Sequence, residues 1–356
     1  FVLNGNHNSS AAGPVQNTLS GNSFTKLNLG GKYIRDTYKL DGALGYSNQY
    51  FTFYGFRQLP EQVINKDSIR QAINIFDFQL GFENTDASTA IDYSLNTALY
   101  SLRDRLNASE FDWATNLKVA LPISNAVYAL LDADAFVSQR VDDFTYNRNL
   151  FRVKPHFKYQ SEQLAITVGL NAVNETDNTL AINRTKAFPV ASVDFSPSNG
   201  LHIYAGYDGD ILRNTLRSLL AENQWLSPNV LVANTERSLD IYAGVKGELE
   251  EGFQYEARVG LAHYRNFYFF NNTYTDSSKF SVLYEPTKTR VMTISLQAGY
   301  AFGELAKTSI RANYFDYGLD LLEGAWHRPT FTLTWNNSLT LSKKLFVTSD
   351  FFVING

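Results

Sequence analysis

Arg152, Lys154, His156 and Lys158 carry, or can carry, positive charge and occupy alternate positions of one short stretch. Spaced by two, they share one face if that stretch is a β-strand. In a channel wall such a row would draw anionic solutes or dock an acidic partner. The plainer reading is preferred: a water-filled lumen is polar by default, and Asp132 and Asp134 on the preceding segment balance the charge. Asp208-Gly209-Asp210 could offer oxygens to calcium, but no third carboxylate follows at regular spacing, and Asp with Gly after a strand ordinarily makes a turn. His7, His156, His202, His263 and His327 show no metal-ligand spacing, and no Gly-x-Ser-x-Gly elbow accompanies His263. No metal, cofactor or catalytic group is expected.

A second group of residues points to packing. Leu212, Leu216, Leu219 and Leu220 follow helical spacing, with Asp210 or Asn214 available as a cap. Trp225, Leu226, Val230, Leu231 and Val232 come soon after. The connection at 209–236 that holds them exceeds the ~12–15 residues beyond which loops are usually functional or disordered. So many apolar groups argue against disorder. Leu216, Leu220, Trp225 and Leu226 are therefore candidates to constrict a barrel mouth or meet a partner, with Trp225 the expected buried anchor. A loop that merely covers itself is the competing reading.

The elements that must position these residues read as long alternating strands. Leu239, Ile241, Ala243 and Val245 lie on one face, and Asp240, Tyr242 and Lys246 on the other. Phe151, Val153, Phe157 and Tyr159 stand opposite the basic row. Leu164, Ile166, Val168 and Leu170 alternate with Ala165, Thr167, Gly169 and Asn171. About sixteen such candidates are found, close to the ~9–11 residues a tilted strand needs to cross a bilayer. So many strands fit a wide barrel with a polar centre, and lipid demands closure.

Composition agrees with that architecture. Across 356 residues a mean hydropathy of -0.24 excludes a bundle of membrane helices, yet 21 Tyr and 26 Phe supply a heavy aromatic load. Trp113 and Trp335 suit an interfacial aromatic girdle. Net charge of -4 leaves no footprint for nucleic acid, and cysteine is absent. Phe1 starts the chain without a charged-then-apolar leader, as expected of a processed or internal segment.

Connections alternate in length. Tight turns are read at 35–37, 84–88, 122–125, 161–163, 196–200, 248–252, 302–306 and 342–344. Long connections are read at 47–69, 102–109, 138–149, 173–185, 209–236, 264–290 and 316–328. Outer-membrane barrels place short turns in the periplasm and long loops outside. Both chain ends would then lie outside, so terminal strands are expected to be missing, with Phe1-Val2-Leu3 the stub of one. The parent barrel is expected to hold at least about eighteen strands, by the even-number rule.

The stretch Asn223-Gln224-Trp225-Leu226-Ser227-Pro228, followed by Asn234-Thr235-Glu236 and a strand from Leu239 to Glu248, resembles a segment of TonB-dependent receptor barrels. Gln224 stands where that family usually has Pro, and Asn229 where it has Glu. The Asn, Tyr and Phe-rich texture is similar to receptor-like barrels of the Bacteroidota. The resemblance covers the barrel only, with no plug domain or TonB box recognised. It implies an all-β, antiparallel up-and-down transmembrane barrel in the bacterial outer membrane, comprising residues 1–356 as one domain. Its expected function is that of a conduit or receptor for solute passage. A non-transporting barrel subunit of secretion or protein-insertion machinery is the alternative. Expected partners are lipid, lipopolysaccharide and other outer-membrane proteins or lipoproteins.

Overall fold

The computed structural model describes residues 1–11, 20–54, 65, 67–86, 88–249, 252–303, 305–342 and 345–356. The tight turns expected at 84–88, 248–252, 302–306 and 342–344, and the connection at 47–69, lie partly outside these residues.

Among the described residues, seventeen strands form one sheet. They are β1 (Val2–Ser10), β2 (Asn22–Ile34), β3 (Tyr38–Thr52), β4 (Arg70–Asn84), β5 (Asp92–Asp104), β6 (Ser109–Pro122), β7 (Val127–Val141), β8 (Thr145–Gln160) and β9 (Leu164–Asp177). The series continues with β10 (Ile182–Ser198), β11 (Leu201–Leu212), β12 (Thr235–Leu249), β13 (Phe253–Asn272), β14 (Phe280–Phe302), β15 (Ala306–Gly318), β16 (Phe331–Ser342) and β17 (Leu345–Asn355). Each strand pairs antiparallel with the next in sequence, which is the up-and-down order. No register joins β1 to β17 among the described residues, so the wall has two free edges. A helix, α1 (Leu216–Glu222), interrupts the pattern between β11 and β12.

The wall is apolar outward and polar inward. On β8, Phe151, Val153, Phe157 and Tyr159 are exposed, whereas Arg152, Lys154, His156 and Lys158 are half-buried. On β12, Ile241 is 47% exposed, and Leu239 and Ala243 share its parity. Water would not tolerate that band, but hydrocarbon solvates it. Rings crowd the outer face near the short turns. Tyr33, Tyr38, Phe82 and Tyr93 form a chain across β2–β5 with centroids 6.2, 6.1 and 5.7 Å apart. Trp113 and Trp335 also face outward, and each indole N–H donates to a threonine hydroxyl (Thr97 and Thr308) at 2.9 Å. Both arrangements suit amphipathic rings at a membrane surface. On the lumenal side, Tyr242 lies against Gly206 and Tyr204 against Gly244, each its partner across the β11–β12 ladder. A Cβ on Gly206 would sit 2.4 Å from the Tyr242 ring, so only glycine lets that ring lie flat on the wall.

Two expectations need correction. The stub at Phe1-Val2-Leu3 is a full nine-residue strand paired with β2, raising the count from about sixteen to seventeen. Asn4 to Ser10 is polar on both faces, so it carries no alternating signal. Most long connections are also shorter than their polar sequences suggest, because strands continue past the bilayer. β13 and β14 run 20 and 23 residues, and only 273–279 joins them where 264–290 was expected. Beyond the lipid both faces meet water or loops, the constraint that enforces alternation is lifted, and the ladder persists without its signature.

Candidate functional site

At the end of the wall opposite the short turns, the β11–β12 connection folds inward. Its stem is closed by two asparagines. Asn214 Nδ2 donates to the Ala233 carbonyl (2.8 Å) and the Thr235 hydroxyl (3.2 Å), while the Asn214 N–H donates to Asn234 Oδ1 (3.1 Å). Arg148 on β8 is buried and fully engaged: it donates to Asp177 (2.8 Å), to the Asn214 carbonyl (2.7 Å) and to Asn234 Oδ1. Asn234 Nδ2 in turn donates to Glu175 (2.8 Å), which also pairs with Arg184 (2.9 Å). Glu236 receives Lys186 at 2.6 Å and Arg184 at 3.2 Å. Buried charges this far from water persist only when each is paired and hydrogen-bonded.

Beyond the stem, α1 reaches across to the far wall. A seven-residue helix is marginal alone, and its four free amides need partners. Thr215 is the N-cap: Ser218 N–H donates to its hydroxyl (3.0 Å), and Ser218 Oγ accepts from Thr215 N–H (2.9 Å). The other two amides, Leu216 and Arg217, donate to the buried carboxylate of Glu110 on β6 at 2.8 and 3.1 Å. Tyr100 holds that carboxylate through its hydroxyl at 2.7 Å. Arg213 pairs with Asp112 on β6, Arg217 with Asp77 on β4, and Gln224 with Gln49 on β3.

The apolar side chains then build a core in the mouth. Leu216, Leu219, Leu226, Val230 and Val232 from the connection meet Phe51, Phe53, Ile73 and Leu102 from the β3–β5 side and Tyr268, Phe270 and Val282 from β13 and β14. Leu219 and Leu102 have no exposed surface. Burying each such side chain contributes about 1.5–3 kcal/mol, so the folded-in position is strongly favoured at rest. Trp225 packs edge-on against Phe51 and Tyr54 (centroids 6.4 and 5.9 Å). The main chain beside it bonds to β14: Phe280 N–H donates to the Trp225 carbonyl and Ser227 N–H to the Phe280 carbonyl, both at 2.8 Å.

The expected site residues divide accordingly. Leu216 and Leu226 are buried in the mouth, with Leu220 and Trp225 half-buried around them. Leu226 and Leu219 are thus more deeply anchored than Trp225, which sits at the margin of the core. The helix is present, but its cap is neither Asp210 nor Asn214. Asp210 is occupied by Arg152 (2.9 Å) and Lys154 (3.3 Å), and Asn214 by the stem. Leu212 belongs to β11. In the basic row Arg152 is neutralised by Asp134 (2.9 Å) and Asp210, so the second carboxylate comes from β11 rather than from Asp132. His156 Nδ1 lies 3.0 Å from the Lys154 carbonyl, and the described structure gives Lys158 no ion-pair partner. Asp208 is held by Arg237 at 3.1 Å, so the Asp-Gly-Asp carboxylates bind cationic side chains. Among the described residues, no three His, Asp or Glu side chains gather as metal ligands.

Sequence reasoning missed Glu110, Asp112, Arg140 and Arg148. Arg140 and Arg148 fell in a stretch read as loop. Glu110 and Asp112 alternate with outward Phe111 and Trp113, a lumenal parity that was legible but gave no hint of a partner a hundred residues away.

The fold and site together define a transmembrane antiparallel barrel wall whose mouth is filled by its own β11–β12 connection. No protein-family model and no curated protein matches the chain. Solved structures do. The FrpB iron transporter from Neisseria meningitidis (F3-3 variant) is similar with a TM-score of 0.70 at 9% identity, over 98% of this chain and 63% of that one. The siderophore receptor PirA from Acinetobacter baumannii gives 0.70 at 10% identity, over 99% and 64%. The copper transporter OprC gives 0.66 at 11% identity, over 99% and 62%. The chain therefore spans under two thirds of each of these proteins. At such identities the likeness establishes the fold, which is that of TonB-dependent outer-membrane receptors, with an outward apolar band suited to that membrane.

Proposed function

We infer that residues 1–356 form one barrel domain of an outer-membrane receptor-type transporter, through which a solute passes from the outside inward. The β11–β12 connection lies at the extracellular end and constricts the path. The observation that carries this reading is the inward fold of that connection, which touches β3, β4 and β6 on one side and β13 and β14 on another. A loop that only covered itself would leave the opposite wall untouched. The receptor likeness supports uptake over an accessory role, since the structural neighbours are named as transporters and receptors. The basic row, in which Arg152 and Lys154 are paired with Asp134 and Asp210, acts as part of a polar lumen. Lipopolysaccharide is the proposed outer-leaflet contact, and the Asn, Tyr and Phe-rich texture suits a Bacteroidota source.

Deleting residues 213–232 tests the constriction. The deletion should raise single-channel conductance in planar bilayers severalfold while the barrel still folds. A folded deletion variant with unchanged conductance would remove the connection from the path.

A further inference from the structure

Main-chain attachments of the mouth connection fall on one part of the wall only, whereas side-chain attachments are spread around it, Glu222 of α1 also meeting Tyr268 of β13 and Arg328 (3.4 Å). Towards β11–β14, a contiguous run of strands, the connection is joined through main chain. Its ends continue directly into β11 and β12. Leu226 forms a parallel bridge with Phe280 of β14, closed by the two main-chain hydrogen bonds of 2.8 Å. Tyr284, also on β14, adds its hydroxyl to the Ala233 N–H (2.9 Å) and the Leu231 carbonyl (3.1 Å). Towards β3–β7, no main-chain pair is present among the described residues. There the polar attachments are Arg213–Asp112, Arg217–Asp77, Gln224–Gln49, the Glu110 carboxylate on the α1 amides, and Arg140 on the Val230 carbonyl (2.6 Å).

Water or a polar solute group can replace a side-chain partner one at a time, whereas the main-chain ladder is cooperative with the sheet that continues it. We propose that the mouth connection is a hinged lid, pivoting on β11–β14 and latched by side chains to β3–β7, so that it opens by releasing the β3–β7 side first. This rests on the constriction reading above and adds the direction of movement. The latch also holds two of the ion pairs of the connection, Arg213–Asp112 and Arg217–Asp77, for which an arriving charged solute would compete.

The chain has no cysteine, so paired cysteines give clean locks formed after folding. In the full chain, oxidised Gln49→Cys/Gln224→Cys ties the latch, and oxidised Leu226→Cys/Phe280→Cys ties the hinge. In planar bilayers with potassium chloride as the probe, the latch bond should cut the frequency of opening at least tenfold, with recovery on reduction. The hinge bond should change it less than twofold. Equal suppression by both bonds, or by the hinge bond alone, overturns the proposal. A second readout does not depend on conductance. With Leu219→Cys as reporter, Asp112→Asn and Asp77→Asn should each raise labelling by a charged, membrane-impermeant maleimide about tenfold. Labelling unchanged in both variants also overturns it. If the 213–232 deletion leaves conductance unaltered while the labelling rises as expected, the constriction reading fails and the lid movement stands.

Discussion

The spanning wall and the mouth are built from the same strands yet obey opposite solvation rules. In the wall, Ile241, Val259 and Leu296 are exposed, and the inner parity is mostly polar or small. In the mouth, Leu219 and Leu102 are wholly buried, as in a water-soluble core. Charge follows the same division. Arg148, Glu175 and Asp177 are buried at the mouth, whereas Lys246 on the wall reaches Asp194 across open lumen with about half its side chain exposed. The difference teaches where stability is stored. Lipid and the continuous antiparallel ladder hold the wall, so its side chains can be simple. The mouth has no lipid, and must bring its own apolar core and its own counter-ions.

Breaking the mouth should have the largest effect. Arg148→Ala leaves Asp177 without its guanidinium and should cost about 3–5 kcal/mol, as when one partner of a buried pair is removed. Hydrogen exchange should report the loss at 213–234 while the spanning strands stay protected. Uniform loss across the wall would erase the distinction between the two regions. Next comes Ile241→Arg, which places a charge against lipid and should cost about 2–4 kcal/mol near mid-membrane. Folding titrations into liposomes measure this directly, and a negligible change would mean that Ile241 does not face hydrocarbon.

Smaller changes sharpen the picture within the mouth. Thr215→Ala removes the α1 cap and should cost about 1 kcal/mol, with Thr215→Ser retaining most of the stability. If both variants behave alike, Glu110 alone organises the helix start. The smallest effect is pH-linked. Burial pushes Asp276, in the 273–279 connection, upward, but Ser278 and Lys279 more than offset this and hold it below the usual carboxylate value. A depressed folded value contributes stability that is full above the unfolded value and lost as pH falls through the folded one. Asp276→Asn should therefore lower protection at 273–279 slightly at neutral pH and flatten the acid limb of local exchange below about pH 4, where the unsubstituted chain loses the same contribution.

Sequence alone determined the wall. Alternation at period two over bilayer-length segments is imposed by two different solvents on the two faces, so Leu239 to Val245 and Phe151 to Tyr159 disclosed both strand and facing. It also marked the 209–236 connection, because so many leucines outside a strand require a burial site. Tertiary structure decided where that site is. Which wall residues receive α1, that Glu110 serves as its anion, that Thr215 rather than Asp210 caps it, and that Arg148 draws Asp177, Asn214 and Asn234 together all depend on barrel curvature. Curvature brings residues a hundred positions apart within hydrogen-bond distance, and a local pattern carries no record of it. For the same reason β1 and the strand ends beyond the bilayer were illegible: where both faces meet water or loops, nothing enforces alternation, and the ladder is held by main-chain pairing that side-chain types do not encode.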